Sequence, residues 1–255
     1  MINIELSGKV AVVTGGSRGL GEAISRGLAR AGATVAVASR KKPACDALVE
    51  ELVGTGARAS SHAFDAGRWE DCDRLYKEVT ERWGGAQILV NNVGKSPVAP
   101  SSLETSEELF DKIIAINLRS TFRLSALFGA QMKAGNGGAI VNISSTGSLR
   151  PDPSFAPYAA AKAGVNTLTT TFAQEFGPKV RVNTVMPGPF HTEATRAWSR
   201  SEGFASHAQR SMPLGRAGEP TEIVGAVLYL VSELASFTTG ACLAVDGGHN
   251  IGKSP

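Results

Sequence analysis

The sequence predicts a doubly wound α/β fold in one domain, and three observations predict it. Short apolar runs, rich in alanine and β-branched residues, alternate with longer segments of helical period. Most of these runs are almost continuously apolar, as strands covered on both faces of a parallel sheet are. No linker, repeat or shift of composition divides the 255 residues, a length that α/β folds reach as a single unit.

The first strand is expected over residues 9–14, Lys9-Val10-Ala11-Val12-Val13-Thr14. Further strands are expected over 34–38, 58–63, 87–91, 139–143, 181–185 and 242–245. Between them, residues 21–31, 44–53 and 69–83 carry the amphipathic period of helices. One stretch breaks the alternation. Residues 187–216 run from Pro187-Gly188-Pro189 to Gly215-Arg216 around a polar middle dotted with Trp198, Phe204 and Met212. An ordered insertion of this length is usually functional, so a lid over a cleft is expected at about 189–215.

Composition narrows the function classes. Apolar residues make up 42% and charged residues 19% of the chain, ordinary proportions that exclude disorder, coiled coil and collagen. No apolar run approaches the ~18 residues of a membrane span. Met1-Ile2-Asn3-Ile4-Glu5 lacks the basic and apolar regions of a secretory leader, so a cytoplasmic location is expected. Lys and Arg number 26 against 23 Asp and Glu, a balance that points away from nucleic acid and membrane surfaces. Cys45, Cys72 and Cys242 are too far apart for a zinc knuckle and odd in number, so free thiols are expected. The four histidines lack metal-ligand spacing, and no metal is expected.

Glycine departs from the ordinary, with 29 of 255 residues against a usual ~7%. Part of that excess stands directly after the first strand, in Thr14-Gly15-Gly16-Ser17-Arg18-Gly19-Leu20-Gly21. A tight strand-to-helix turn needs glycine, and Gly15, Gly19 and Gly21 are expected to clear a path for a pyrophosphate. The helix that follows offers free N–H groups and the positive end of its dipole to phosphates. The spacing, G-x-x-x-G-x-G, is neither G-x-G-x-x-G nor a phosphate loop ending in G-K-[ST]. The second strand ends Val37-Ala38-Ser39-Arg40-Lys41-Lys42. An acid here would hold the ribose hydroxyls of NAD, whereas Arg40, with Arg18 in the glycine loop, suits the 2′-phosphate of NADP. NADP(H) is the expected cofactor.

Tyr158-Ala159-Ala160-Ala161-Lys162 carries the candidate chemistry. Residues four apart share one helix face, so phenol and ammonium would point into one site. Tyrosine, with a reference pKa of ~10, is a poor base at neutrality, and a nearby cation would lower that value. Ser145 follows the strand Ala139-Ile140-Val141-Asn142-Ile143 and could hydrogen-bond the same substrate oxygen; Ser144 is the adjacent alternative or a structural cap. Asn117, inside an apolar helical stretch, is either a satisfied interior amide or part of a proton relay through water.

In order, the chain presents residues 14–21, Asp65, Asn91-Asn92-Val93-Gly94, Asn117, Ser145, Tyr158 with Lys162, Pro187-Gly188 with Thr192, and Asp246-Gly247-Gly248. On these motifs, which extend over nearly all of its length, it resembles the short-chain dehydrogenase/reductase family. The resemblance implies a Rossmann-type fold of seven parallel strands with helices on both faces, usually assembled as a homotetramer. It implies that Tyr158 exchanges a proton with the substrate oxygen while nicotinamide exchanges hydride with its carbon. Lys162 would bind the nicotinamide ribose and keep the Tyr158 pKa low, Ser145 would polarise the carbonyl, and Asn117 would hold a water joining Lys162 to solvent. Asp65 would meet the adenine, the 91–94 turn the adenosine ribose, and Pro187, Gly188 and Thr192 the nicotinamide end. By the same resemblance Gly247-Gly248 would serve a C-terminal interface. Two positions depart from the family pattern: Val93 stands where alanine is usual, and Ala66 where a larger aliphatic is usual.

The substrate would be walled by residues 95–98, 149–157 and 189–191 and by the lid around Trp198, Phe204 and Met212. Lys95, Arg150, His191 and Arg196 could meet a carboxylate or phosphate, or could be solvated charge at the rim. The expected activity is NADPH-dependent reduction of a ketone or 3-oxoacyl group to a secondary alcohol, with a small carbonyl or alcohol molecule as partner. A sugar or polyol dehydrogenase is the alternative, and a non-catalytic NADP-binding protein a remote one, since both Tyr158 and Lys162 are intact.

Overall fold

Strand β1 (Val10–Thr14) is buried at every position, and its side chains alternate between two apolar layers. Ala11 and Val13 enter one with Val35 and Val37, while Val10 and Val12 enter the other with Ala36 and Ala38. A strand covered on both faces has no solvent side to mark with polar residues, which is why it reads as a continuous apolar run. The chain is described here by a computed structural model that covers residues 4–252. The expectation of a missing leader rests partly on Met1, Ile2 and Asn3, which lie outside the described residues.

Around β1 the remaining strands are β2 (Thr34–Ser39), β3 (Ala59–Ala63), β4 (Ile88–Asn91), β5 (Gly138–Ile143), β6 (Val180–Pro187) and β7 (Cys242–Val245). They form one seven-stranded sheet in the order β3-β2-β1-β4-β5-β6-β7, and every neighbouring pair is parallel. The fold is thus the Rossmann-type sheet that the sequence predicts. Helices α1 (Gly19–Arg30), α2 (Lys42–Gly54) and α9 (Val224–Val231) cover one face, burying Ile24, Leu28, Leu48 and Leu230 there. The other face carries α3 (Trp69–Trp83), α5 (Ser120–Ala134) and α6 (Ala156–Phe176), which bury Leu75, Phe128 and Phe172.

The strand that departs from two-sided burial is β7, whose Cys242, Leu243 and Ala244 are exposed. It is one edge of the sheet, opposite β3, and pairs only with β6. Cys45 and Cys72 are buried and Cys242 exposed, all three as free thiols. Helix α4 (Glu107–Ile114) runs into α5 through a π-helical turn, Ala115–Arg119. The 187–216 stretch forms two short helices, α7 (Arg196–Ser199) and α8 (Glu202–Ser211). Its base is pinned where Gly218 N–H donates to Pro189 O at 3.0 Å and His191 N–H to Gly218 O at 2.8 Å. No helix among the described residues is long and apolar enough to cross a membrane.

Candidate active site

A cleft of about 350 Å3 opens at the carboxyl ends of the strands, beside the point between β1 and β4 where the winding reverses. An open α/β sheet leaves its ligand crevice there. The lining follows the strand order, from Arg40 after β2, through Arg18 after β1, to Ser145 after β5 and Pro187-Gly188 at β6.

The glycine loop is built for close approach. Gly15 and Gly19 have φ of +63° and +55°, a region that side chains disfavour. A Cβ on Gly21 would lie 2.1 Å from Gly15 O and 2.5 Å from Asn92 Nδ2, so only glycine lets α1 start this near to the loop. Arg18, the residue that caps α1, offers no side-chain acceptor to the first turn. The helix therefore presents its free N–H groups to the cleft, as a pyrophosphate requires. This cradle fits a dinucleotide. It also amends the expectation that all three glycines clear the ligand's path. Gly15 and Gly21 are needed chiefly for packing against Asn92 and each other; a Cβ on Gly19 would point instead toward Thr192, 3.5 Å away. Gly16 proves to be a packing glycine too, since its Cβ would sit 2.9 Å from Ser25 Oγ.

Leu20, Asp65, Asn92, Gly94 and Thr192 also line the cleft. Asn92 ties β4 to the loop, donating from Nδ2 to Thr14 O at 3.0 Å. Ser17 and Ser39 stand outside the lining and bond each other, Oγ to Oγ, at 2.7 Å. Asn91 is likewise turned away. Its Nδ2 donates to Ser125 Oγ at 3.0 Å and Asn142 Oδ1 at 2.9 Å, and Asn142 Nδ2 continues to Thr169 Oγ1 at 2.9 Å. This buried polar ladder braces β4 and β5 against α5 and α6. The sequence hides it, because an asparagine inside an apolar strand carries no mark of its partner.

Ser145, Tyr158 and Lys162 converge at the far end of the cleft. Tyr158 keeps part of its surface open and shares the lining with Ser145. Ser145 Oγ accepts from Gly147 N–H at 3.0 Å. Ser144 is buried and donates to Lys162 O at 3.0 Å, a structural clip on α6. Lys162 is buried, and its Nζ donates to Ile143 O at 2.8 Å and stands 5.8 Å from the Tyr158 ring centre.

Burial raises the Tyr158 pKa, and the Ser145 hydroxyl opposes it. Burial also pushes the Lys162 pKa down, to about 8.

Asn117 lies within the π-helical turn and outside the cleft lining. Its Oδ1 accepts from Lys95 N–H at 3.1 Å, and its Nδ2 donates to Lys95 O and Ile113 O, each at 2.9 Å. Asn117 thereby ties the π turn to the backbone at residue 95. These contacts satisfy the Asn117 side-chain amide.

The expected substrate wall is assembled only in part. Lys95, Ser96 and residues 192–195 line the cleft, whereas Trp198, Phe204 and Met212 do not. Trp198 packs edge-on against Phe204 at 5.2 Å. Met212 is fully buried behind the segment, and Gly247-Gly248 pack there against residues 212–214 of the same chain. Arg150 donates to His249 O at 2.9 Å, and His191 Nδ1 bonds Ser199 Oγ at 3.1 Å. Phe64 and Ile116 line the cleft without having been singled out in the sequence; Phe64 precedes Asp65 and Ile116 precedes Asn117, so adjacency to a motif was the available signal. Among the described residues no group of His, Cys, Asp and Glu stands where it could hold a metal ion.

Residues 15–250 match a family model described as enoyl-(acyl carrier protein) reductase. The human protein named dehydrogenase/reductase SDR family member 4 is 35% identical over 244 residues, covering 95% of this chain and 88% of that one. The 3-oxoacyl-(acyl-carrier-protein) reductase FabG of Thermotoga maritima is 33% identical over 246 residues, covering 96% and 99%. Among solved structures, a gluconate 5-dehydrogenase from Burkholderia cenocepacia in complex with NADP and tartrate superposes with a TM-score of 0.91 at 32% identity, covering 98% of each chain.

Proposed function

This chain belongs to the short-chain dehydrogenase/reductase family, and from that premise we propose that it reduces a ketone or 3-oxoacyl group to a secondary alcohol, reversibly, with NADPH. The observation that carries the reading is the meeting of Ser145, Tyr158 and Lys162 in a cleft whose other end holds Arg18 and Arg40. Bound there, NADPH supplies the hydride. The Tyr158 hydroxyl gives its proton to the substrate oxygen as negative charge grows on it, and takes one back in the oxidative direction. Ser145 donates a hydrogen bond to the same oxygen. Lys162, reaching the cleft from α6, binds the nicotinamide ribose and feeds positive charge toward the phenolate. Asp65 receives the adenine, Gly188 and Thr192 the nicotinamide end. Residues 189–215 act as a lid, and the working molecule is a cytoplasmic homotetramer.

NADPH rather than NADH rests on the absence of an acid after β2 and on Arg40 in the lining. Oxidation of a sugar or polyol is the second reading, favoured by the gluconate 5-dehydrogenase whose fold this chain shares. A panel of ketones, 3-oxoacyl thioesters, sugars and polyols, assayed in both directions with NADPH and NADH side by side, tests all of this. Reduction of ketones or thioesters with NADPH is the expected result; turnover confined to sugars or polyols would replace it with the second reading.

A further inference from the structure

Ser145 stands on the turn after β5, while Tyr158 and Lys162 stand on α6. Their relative placement therefore depends on how that turn is docked against the helix. Two clips run through Lys162, from its Nζ to Ile143 O at 2.8 Å and from Ser144 Oγ to Lys162 O at 3.0 Å. A third lies one helical turn further along α6, at Asn166, four residues after Lys162. Asn166 Nδ2 donates to Ser148 Oγ at 2.9 Å, and Ser148 Oγ donates to Ser145 O at 2.6 Å. Neither Ser148 nor Asn166 lines the cleft, so both act from behind the reacting groups.

The chain of bonds has one direction. A hydroxyl has a single proton to give. Ser148 commits its proton to the Ser145 carbonyl, a closer and stronger acceptor than Met186 Sδ at 3.8 Å. The Asn166 group facing Ser148 must then be its N–H, which leaves Oδ1 buried with no hydrogen-bond partner among the described residues. A buried carbonyl without a partner costs stability that leucine, of similar size, would not. Stability therefore does not account for an amide at 166, whereas an oriented donor does. At the other end of the chain, Ser145 O also accepts from Ser148 N–H at 3.0 Å, and Ser145 Oγ accepts from Gly147 N–H at 3.0 Å. The 147–148 turn thus holds Ser145 at two atoms, and the Ser145 hydroxyl keeps its own proton to donate.

We propose that Asn166, acting through Ser148, is a positioning residue that holds Ser145 at the substrate oxygen. The inference rests on the reductase reading above, in which Ser145 donates to that oxygen as negative charge grows on it. A donor aimed at charge that develops only in the transition state acts on turnover and not on ground-state binding. A small displacement of that donor lowers kcat and leaves KM in place.

Asn166→Leu keeps the size of the side chain and removes the donor. With NADPH saturating and the best ketone of the panel, kcat should fall about tenfold, with KM and NADPH affinity within about twofold of wild type. The melting temperature should be no lower. Ser148→Ala opens the chain at its middle link and should show the same loss, and Ser148→Thr, which keeps the hydroxyl, should recover most of it. A purely structural role would add its loss to any other. The deciding measurement is therefore Asn166→Leu in a Ser145→Ala background, where no further loss of kcat is expected. A further loss of about tenfold there, or wild-type kcat in Asn166→Leu and Ser148→Ala alone, overturns the proposal while the reductase reading stands. Wild-type kcat in Ser145→Ala itself would remove the role of Ser145 in that reading, and the inference with it.

Discussion

Lys162 is a cation held where burial disfavours charge, and that position has a cost that can be measured. Its pKa is about 8 in the fold against an ordinary 10.5. Between those values the unfolded chain binds more protons than the folded one, so stability rises with pH across that window, and below pH 8 the full cost is present. Lys162→Met should therefore stabilise the unliganded protein at pH 7, by about 1–3 kcal/mol, while depressing activity. Melting curves should show the gain at pH 7 and its disappearance near pH 10; a variant destabilised at pH 7 would contradict this. Tyr158 has the opposite problem. A pKa raised by burial keeps the phenol protonated at neutrality, ready for reduction, and places the rising limb of the oxidation rate on the alkaline side. Ser145 supplies the opposing pull, so Ser145→Ala should move that limb to still higher pH, which a pH profile of alcohol oxidation checks. The pairing of Tyr158 with Lys162 was legible because four residues make a helical turn. The bond from Lys162 Nζ to Ile143 O was not, since no spacing reveals a carbonyl partner.

At the scale of elements, seven expected strands became seven strands, and the helix expected over 69–83 is α3, Trp69–Trp83. Continuous apolar runs and a clear amphipathic period made these legible. The π-helical turn between α4 and α5 was not, because it departs from helical period only by one extra residue. Its effect is large nonetheless: it presents Asn117 to the Lys95 backbone and so joins α4 to the β4 end of the cleft. Asn117→Ala would strand Lys95 N–H, Lys95 O and Ile113 O together. A loss of about 1–3 kcal/mol in stability is expected, with weaker NADPH binding because the 94–95 turn loosens. Wild-type melting and NADPH affinity in that variant would refute the clamp. The 187–216 segment shows the limit of reading aromatics as substrate wall. Phe204 and Trp198 satisfy each other, Met212 anchors the segment from behind, and the cleft receives Phe190 and residues 192–195 instead.

In the whole molecule, one parallel sheet brings most of the candidate groups to one end, because all seven strands end on the same side. That is why residues as far apart in sequence as Gly15 and Thr192 share a cleft, and why the order of motifs along the chain sufficed to foresee it. Assembly as a homotetramer is implied by the resemblance alone. The edge strand β7 leaves Cys242 and Leu243 exposed, and Phe237 nearby is fully so, apolar surface that a proposed homotetramer would cover. Light scattering on the purified protein should then give the mass of four chains, and a monomer would exclude that assembly. The account stands or falls on the phenol. With NADPH saturating and the best ketone of the panel as substrate, Tyr158→Phe should lower turnover by ~10²–10⁴-fold, about 3–5 kcal/mol of barrier, and leave NADPH affinity close to wild type. Turnover near that of the wild type would contradict the proton-transfer role on which the mechanism rests.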